Sequence, residues 1–176
     1  MDELWLVQHP AVYTLGLNGD ASHWLQSSTT PLIHTDRGGQ ITWHGPGQLI
    51  AYTLIDIRRK NLGVRTLVTR LENAIIDLLA AFGLIAAARP DAPGVYVEGR
   101  KIASIGLRVK KGCTYHGISL NVDPDLSAFE HINPCGYPGL IVTSLKQEGI
   151  PVHATEVMPG LATAIMNQLG YARSQG

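Results

Sequence analysis

Two residues of this chain, Lys101 and Cys135, are of the types that nucleophilic catalysis uses. A cysteine attacks only as its thiolate, and a free thiol with a pKa of about 8.5 is a few per cent ionised at pH 7. It therefore needs a nearby cation or base, and a desolvated lysine can serve as either. The two residues could form a dyad, although 34 positions separate them. The alternative is a surface lysine at a hairpin end and a small buried cysteine without chemistry.

The sequence around each residue bears on this choice. In an extended strand Lys101 would end an otherwise apolar row that consists of Ala103, Ile105, Leu107 and Val109. Burial at the end of such a row would let the amine exchange protons with a thiol. Cys135 lies in the segment 133–139, where prolines and glycines on both sides present the thiol on a tight turn. That setting favours a functional cysteine over a merely buried one.

A glycine-rich segment, residues 37–48, could form a ligand site. Its backbone can approach a ligand closely, and Arg37, Gln40, Thr42 and His44 supply donors and acceptors. The segment matches neither a P-loop nor a dinucleotide-binding fingerprint, which disfavours a nucleotide site. The alternative is an ordinary connection between two strands.

A third polar segment contains His116, which a regular strand would place on the same face as Ile118 and Leu120. A hydrogen-bonded core histidine and a catalytic histidine both fit this pattern. Cys113 precedes His116 by three positions, but no second ligand pair and no H-E-x-x-H motif accompanies them. We therefore expect no metal site.

The composition favours a single globular domain of an ordinary kind. The chain has 176 residues, of which 45% are hydrophobic and 16% charged, and its formal net charge is zero. This charge balance disfavours nucleic-acid binding, and neither a membrane span nor a signal peptide is visible. Two isolated cysteines suit a reducing compartment. We expect a cytoplasmic protein with no nucleic-acid or membrane partner.

Strand patterns dominate the first part of the chain, and one helix follows them. β-branched and aromatic runs bounded by Gly, Pro or Asn predict strands at Leu4–Gln8, Val12–Leu15, Leu32–Thr35, Gln40–Trp43 and Gln48–Asp56. The spacing of apolar residues then predicts a helix that carries Leu67, Leu71, Ile75, Leu78 and Phe82 and ends near Gly83.

The second part of the chain resumes the strand pattern and ends in another helix. Val95–Val97 and Lys101–Val109 should form a hairpin around a turn at residues 98–100, and Thr114–Val122 should be the next strand. A final helix is predicted from about Thr155, as N-cap, to Leu169, with Gly170 just beyond it. Runs of strands interrupted by single helices indicate an α+β fold, a mixed β-sheet with packed helices.

The segments that carry these residues resemble the lipoyl(octanoyl) transferase family, the octanoyltransferases of lipoate biosynthesis. The matching stretches are RGGQITWHGPGQ (37–48), GVYVEGRKIASIGLRV (94–109), HGISLNV (116–122) and INPCGY (132–137). Their order and spacing agree with the family, and the similarity runs from about Leu4 to Tyr137. Trp43 stands where tyrosine is frequent, a conservative aromatic change.

The resemblance implies a fold shared with the catalytic domains of biotin and lipoate ligases. It implies that Cys135 carries an acyl group, that Lys101 activates this cysteine, and that no cofactor is required. Backbone N–H groups near Gly38, Gly39 and the Cys135 turn would hold the oxyanion. The residues implied to bind the substrate are Arg37, Gly38, Gly39, Gln40, Ile41, Thr42, Trp43, His44, Ser104, Ile105, Gly106, His116, Gly117, Ile118 and Ser119.

The implied reaction moves an octanoyl group from octanoyl–acyl-carrier protein to a lysine of lipoyl domains. The acceptors would be the 2-oxoacid dehydrogenase E2 subunits and the glycine cleavage H protein. An ATP-dependent lipoate or biotin-type ligase and a non-catalytic acyl-binding module are the alternatives. Family members carry a further N-terminal segment before the position of Asp2, and we expect residues 1–176 to be one catalytic domain without it.

Overall fold

The computed structural model describes residues 1–26 and 28–171. The strands are Glu3–Val7 (β1), Val12–Leu15 (β2), Leu32–His34 (β3), Thr42–His44 (β4), Gln48–Leu54 (β5), Ala86–Ala88 (β6), Val95–Val97 (β7), Arg100–Lys110 (β8) and Cys113–Asn121 (β9). The α-helices are Val64–Ala81 (α1) and Ala154–Gln168 (α2). Short 3-10 helices lie at Ala21–His23, Leu126–His131 and Pro134–Gly136.

The strands form a large sheet and a small one. The large sheet has six strands in the order β1-β5-β9-β8-β7-β6, and every neighbouring pair is antiparallel. The small sheet has the order β3-β2-β4, with β2 parallel to β3 and antiparallel to β4. The predicted α+β fold is confirmed, and among these strands the only parallel pair is β2 and β3 of the small sheet.

Both long helices pack against one face of the large sheet. Strand alternation directs one set of side chains into the core under α1 and α2, namely Leu49, Ala51, Ala103, Ile118 and Leu120. Ile50, Ser104 and Ser119 face the opposite way, towards the small sheet. A second core cluster, which includes Tyr13, Ile41 and Trp43, lies within the small sheet. None of the described helices is long and apolar enough to cross a membrane.

Glycine-containing turns set the register of the central hairpins. Glu98 and Gly99 have φ of 47° and 79°, and Lys111 and Gly112 have φ of 53° and 79°. Two consecutive left-handed residues match the twist of antiparallel strands, which makes two-residue hairpin loops favourable. The β7–β8 hairpin is therefore confirmed, but its turn is shorter than predicted because Arg100 already belongs to β8.

Several element boundaries differ by one or two residues from the sequence prediction, and one strand was not predicted. Strand β4 begins at Thr42 rather than at Gln40. Helix α2 has His153 rather than Thr155 as its N-cap, because the Glu156 carboxylate accepts a hydrogen bond from the His153 N–H at 2.8 Å. Strand β6 was not predicted, since its three alanines have low strand propensity and pair only because β7 lies beside them.

A β-bulge in β8 decides which way Lys101 points. Val95 pairs with Ala103, whereas the next residue, Tyr96, pairs with Lys101, so Ile102 is an extra residue in β8. Val95 and Ala103 face the helices, and Lys101 therefore faces the opposite side together with Tyr96. The prediction that Lys101 ends the apolar row of Ala103 was wrong, because the bulge breaks the alternation between the two residues.

We predict that Gly117→Ala destabilises the protein by roughly 3 kcal/mol, because overpacking in a core has costs of this order. A Cβ at Gly117 would overlap the carbonyl oxygen of Ala51 on the adjacent strand β5. The matched control is Gly106→Ala on β8, where the nearest atom, the Gly38 carbonyl oxygen, is 3.1 Å away. Urea unfolding of both variants measures the difference in stability. Equal unfolding midpoints for the two variants would contradict the prediction.

Candidate active site

A cavity of about 580 Å³ lies between the small sheet and the large sheet. Thr14 and Thr42 of the small sheet line one side, and Ser104 and Ser119 of the large sheet line the other. Its lining is mostly apolar in area but carries a few polar groups at defined positions. Binding sites for small apolar ligands have this character.

Cys135 lies at one end of the cavity on a tight turn. The Tyr137 N–H donates to the Pro134 carbonyl at 3.1 Å and closes this turn. Both central residues are left-handed, Cys135 with φ of 56° and Gly136 with φ of 76°. A non-glycine residue in this region costs of the order of 1 kcal/mol or more, and such strain is concentrated at functional sites. The thiol is partly exposed and not in a disulfide.

Lys101 is the direct neighbour of this thiol. Its Nζ lies 3.2 Å from Cys135 Sγ, and the side chain is only 4% exposed. The same amine donates to the Pro93 carbonyl at 3.0 Å. The Lys101 backbone is fixed as well, since its N–H donates to the Ile141 carbonyl and its carbonyl accepts from the Thr143 N–H, both at 2.8 Å. The structure thus brings the two residues of the predicted dyad into contact.

Arg37 supplies a positive charge to the cavity. Its guanidinium donates to the Thr14 hydroxyl at 2.8 and 3.1 Å, to the Thr14 carbonyl at 2.6 Å and to the Gly38 carbonyl at 3.0 Å. All these acceptors are neutral, and no carboxylate of the described part of the chain forms an ion pair with Arg37. Burial lowers the pKa of Arg37, while a negative charge on Cys135 acts in the opposite direction. The cavity therefore favours anionic groups.

A hydrogen-bonded chain runs from Arg37 to the middle of the large sheet through His44. Thr14 Oγ1 accepts from Arg37 and lies 3.4 Å from His44 Nε2, so its own proton can be directed to that nitrogen. His44 Nδ1 then donates to Gln48 Oε1 at 2.7 Å, because the Gln48 amide nitrogen donates to Asn121 Oδ1. This assignment follows from the donors and acceptors around the ring and requires a neutral imidazole.

We predict that the fold loses stability as the pH falls, because His44 is protonated more readily in the unfolded chain than in the native state. Burial lowers the pKa of His44 from 6.5 to about 4, and the Arg37 charge acts in the same direction. Below pH 6.5 the imidazole of His44 therefore binds a proton in the unfolded chain, whereas in the native state it binds one only near pH 4. The free energy of unfolding is unaffected by this titration above pH 6.5, and it falls by up to about 3 kcal/mol between pH 6.5 and pH 4.

Urea unfolding of the wild type and of His44→Asn between pH 4 and 7.5 measures this effect. The variant should show a smaller loss of stability on acidification, because it removes the titrating group and keeps an amide donor for Gln48. His34→Asn is the control, since that histidine is exposed. A His44→Asn profile parallel to that of the wild type would exclude His44 as the cause.

His116 lies at another part of the cavity wall and contacts the loop after β3. Its backbone is left-handed, with φ of 63°, so the side chain departs from the strand alternation that would place it with Ile118. Its Nε2 lies 2.9 Å from Asp36, which also accepts from the Tyr115 hydroxyl. These hydrogen bonds, the one from Tyr115 first, lower the pKa of Asp36. The His116 side chain is half-buried, lines the cavity and is held by its hydrogen bond to Asp36.

The structure brings most of the predicted substrate-binding residues to this cavity. Those that line it are Arg37, Gly38, Gly39, Gln40, Thr42, His44, Ser104, Ile105, Gly106, His116, Gly117, Ile118 and Ser119. Ile41 and Trp43 are placed elsewhere, because they alternate with Thr42 and His44 and are buried in the small-sheet core. For these two residues the prediction is corrected to a packing role.

The expected oxyanion donors are mostly engaged in other hydrogen bonds. The Cys135 N–H donates to Ile41 at 3.1 Å, the Gly136 N–H to Asn133 at 2.9 Å, and the Gly38 N–H to Leu107 at 3.2 Å, in each case to a carbonyl. The expectation for the Cys135 turn is therefore wrong in this conformation. The Gly39 N–H, in contrast, has no hydrogen-bond partner within residues 1–26 and 28–171. It is the available donor of the predicted set.

Sequence reasoning missed several residues of the site. Thr14, which holds Arg37, lies in a short apolar strand and carries no sequence signal. Pro93, whose carbonyl accepts from Lys101, was visible only as part of a proline- and glycine-containing break before β7. Tyr52 and His9 also line the cavity, and the Tyr52 hydroxyl lies 2.6 Å from His9 Nε2. Within the described residues, no group of three or more His, Cys, Asp or Glu residues is arranged to hold a metal ion.

Solved proteins show the same fold. A lipoate-protein ligase A, solved with ATP bound, aligns with a TM-score of 0.80 at 16% sequence identity over 96% of this chain and 73% of that one. The biotin protein ligase from Aquifex aeolicus aligns with a TM-score of 0.57 at 17% identity over 89% of this chain and 68% of that one. The predicted similarity of the fold to biotin and lipoate ligase domains is confirmed.

Curated proteins show a much closer relation in sequence. An octanoyltransferase of Methylococcus capsulatus is 57% identical over 96% of this chain and 82% of its own length. An octanoyltransferase of Psychromonas ingrahamii is 56% identical over 98% of this chain and 80% of its own length. The family model for the lipoyl protein ligase A/B catalytic domain matches residues 1–166. With this identity over nearly its whole length, the chain belongs to the octanoyltransferase family, and residues 1–166 match the lipoyl protein ligase A/B catalytic domain.

Proposed function

We propose that this enzyme transfers the octanoyl group in two steps through a thioester on Cys135, with Lys101 as the proton carrier. The observation that carries the proposal is the 3.2 Å contact between Lys101 Nζ and Cys135 Sγ at the end of the cavity. The donor would be octanoyl–acyl-carrier protein and the acceptor a lysine of a lipoyl domain. Residues 1–176 would act as one catalytic domain.

In the first step, the Cys135 thiolate attacks the thioester carbonyl of the carrier. Lys101 accepts the thiol proton, and the carrier sulfur leaves and takes this proton back from the lysine. The oxyanion of the tetrahedral intermediate would be stabilised by the Gly39 N–H and by the positive charge of Arg37. The acyl group is then held by Cys135 in a thioester of the same kind as the one broken.

In the second step, the ε-amine of the lipoyl-domain lysine attacks the acyl-enzyme. The C–N bond forms, the C–S bond to Cys135 breaks, and the proton lost by the amine reaches the cysteine sulfur through Lys101. An amide is more stable than a thioester, so this transfer is downhill without nucleotide hydrolysis. Lys101 is only 4% exposed, so the amine that relays these protons is shielded from bulk water.

The acyl chain would occupy the cavity beyond Cys135. Its walls are formed by apolar groups together with the glycine pair Gly106 and Gly117, which face each other on β8 and β9 and leave the cavity free of side chains there. Val64 and Val68 of α1 also contribute to the lining. Both cysteines are free thiols, which supports a location in the reducing cytoplasm.

Intact-protein mass spectrometry after mixing the enzyme with octanoyl–acyl-carrier protein, without ATP, tests the proposal. We expect one octanoyl group, located on Cys135 by peptide mapping, that disappears when a lipoyl domain is added. The enzyme with Cys113→Ser should give the same adduct, since Cys113 is exposed on the far end of the β8–β9 hairpin. The absence of an adduct on Cys135 would overturn the thioester mechanism.

The rival is an ATP-dependent ligase, a function suggested by the shared fold with a ligase solved with ATP. Such an enzyme would modify the lipoyl domain only when ATP and free octanoate are supplied. A parallel reaction with these two reagents in place of the carrier thioester separates the two functions. Modification in this second reaction alone would establish the ligase.

A further inference from the structure

Helix α1 carries a buried acid that the mechanism above does not use. Glu72 is only 8% exposed and lies among the core residues Leu71, Ala74 and Ile75. Burial of a carboxylate is costly unless hydrogen bonds compensate for it, and an apolar residue would fit this position of the helix better. Its presence therefore needs an explanation from what it contacts.

The contact of Glu72 is a backbone group next to the active site. Its Oε1 accepts a hydrogen bond from the Gly94 N–H at 3.1 Å. This N–H belongs to the same peptide unit as the Pro93 carbonyl, and that carbonyl accepts the hydrogen bond from Lys101 Nζ at 3.0 Å. In a trans peptide the N–H and the C=O point in opposite directions. One peptide plane is thus held between the carboxylate and the amine.

The Pro93–Gly94 peptide is also tightly confined by its surroundings. Gly94 has φ of 131°, and a Cβ there would lie 2.7 Å from Lys101 Cε and 2.5 Å from the Ala103 carbonyl oxygen. The peptide can pack against the lysine only because residue 94 is a glycine. A rotation of this peptide would move the Pro93 carbonyl away from the amine.

We propose that Glu72 is a positioning residue that orients Lys101 towards Cys135 through the Pro93–Gly94 peptide. The carboxylate holds the N–H and polarises the peptide, which strengthens the carbonyl as an acceptor for the lysine amine. The ammonium form, which Lys101 adopts after it takes the thiol proton, gains most from this acceptor. The inference rests on the proposed function, since it assigns a support to the same lysine.

The supporting role differs from a catalytic one because Glu72 touches neither the thiol nor the substrate cavity. It resembles the carboxylate of a serine-protease triad, which orients the base and stabilises its protonated form. Here a peptide group stands between the acid and the base. The charged and titratable side chains around this chain of bonds are Cys135, Arg37, Tyr96, Arg89, Asp91 and Tyr137.

Alkylation of Cys135 by iodoacetamide between pH 6 and 9.5 tests the inference without any acyl substrate. All proteins carry Cys113→Ser, so that a single thiol reacts. We expect Glu72→Met, which removes the acceptor but keeps an unbranched side chain, to slow alkylation at pH 7 about tenfold, the order expected for a hydrogen bond that involves a charge. Its pH profile should move to higher pH. Glu72→Gln keeps an acceptor oxygen without the charge and should fall between Glu72→Met and the wild type.

Octanoyl transfer measured on the same proteins should lose kcat by a similar factor, with KM for the carrier unchanged within about twofold, since Glu72 does not line the cavity. Asp77→Asn is the matched control. It removes another carboxylate of α1, one that accepts from Gln168 at 2.6 Å, and should leave both profiles unchanged. Should Glu72→Met fail to fold, Glu72→Gln alone decides, by whether its profile moves.

The possible failures can be told apart. Glu72 variants with the alkylation profile and kcat of the wild type would overturn the inference and leave the Cys135–Lys101 mechanism intact. A wild-type profile identical to that of a small free thiol would overturn the dyad and the inference together. A higher KM for the carrier without any change in the alkylation profile would also overturn the inference, because this result would show a structural effect of Glu72 on the cavity instead.

Discussion

Cys135→Ala should abolish octanoyl transfer, with a loss of at least about 10⁴-fold, because the proposed mechanism holds the acyl group on the Cys135 sulfur. The thiol stands on a turn whose left-handed central residues point it into the cavity 3.2 Å from the lysine amine. Alanine removes the sulfur and little else, so the fold and the cavity should persist. Steady-state transfer from octanoyl–acyl-carrier protein to a lipoyl domain measures the loss.

Two controls make this result specific. Cys113→Ser removes the other thiol of the chain and should retain full transfer. Cys135→Ser places a hydroxyl at the same position, and because an ordinary hydroxyl is a far weaker nucleophile than a thiolate, it should recover little activity. Substantial transfer by Cys135→Ala would mean that the amine attacks the carrier thioester directly, without an acyl-enzyme.

Lys101→Met should reduce transfer about 10²- to 10³-fold at pH 7, which lies within the range that one general acid–base group supplies. Methionine matches the length and the apolar stem of the lysine, so it should remain buried between Pro93 and Tyr96. The acylation step should be affected, because it needs the thiolate. Single-turnover mixing with octanoyl–acyl-carrier protein, quenched and read by intact mass, measures it.

The pH dependence of Lys101→Met distinguishes a chemical role from a structural one. As the pH rises towards 8.5, an ordinary thiol ionises without help, and the deficit of the variant in acylation should shrink. Lys101→Arg keeps a positive charge but cannot exchange a proton near neutral pH, so it should not restore the second step. A deficit that is constant from pH 6.5 to 9 would indicate that the lysine acts only on the shape of the site.

Local patterns in the sequence were sufficient to predict most of the fold. Strands β2 and β7 have the predicted bounds, and the 3.6-residue period identified α1, since its buried stripe consists of the apolar positions that face the sheet. Glu72 is the one polar residue among the buried positions of α1. The predicted features depend on neighbours in the chain. The dyad was also visible as residue types, but its contact depends on residues 34 positions apart and could not follow from local pattern alone.

Two of the errors concern backbone irregularities, and the others concern side chains whose roles depend on distant partners. The bulge at Ile102 and the left-handed His116 each reverse the face of a side chain, and neither leaves a signature such as a glycine at the irregular residue. Ile41 and Trp43 were assigned to the site because they belong to a contiguous matching motif, although strand alternation places them in the core. Glu72 was not recognised because its partner is a backbone N–H, which every residue but proline possesses.

The extra residue in β8 separates the direction of Lys101 from its position in the sequence. Residues two positions apart in a regular strand share a face, but Ile102 is accommodated in the bulge, so Lys101 and Ala103 face opposite sides of the sheet. If the strand kept all three residues but paired without the bulge, the amine would turn towards the apolar core under the helices and the thiol would lose its partner. Deletion of Ile102 would instead leave the amine on the cavity side, because adjacent residues of a regular strand alternate. The pairing of the lysine with Tyr96, rather than its distance from Ala103 along the chain, therefore decides whether it reaches the thiol.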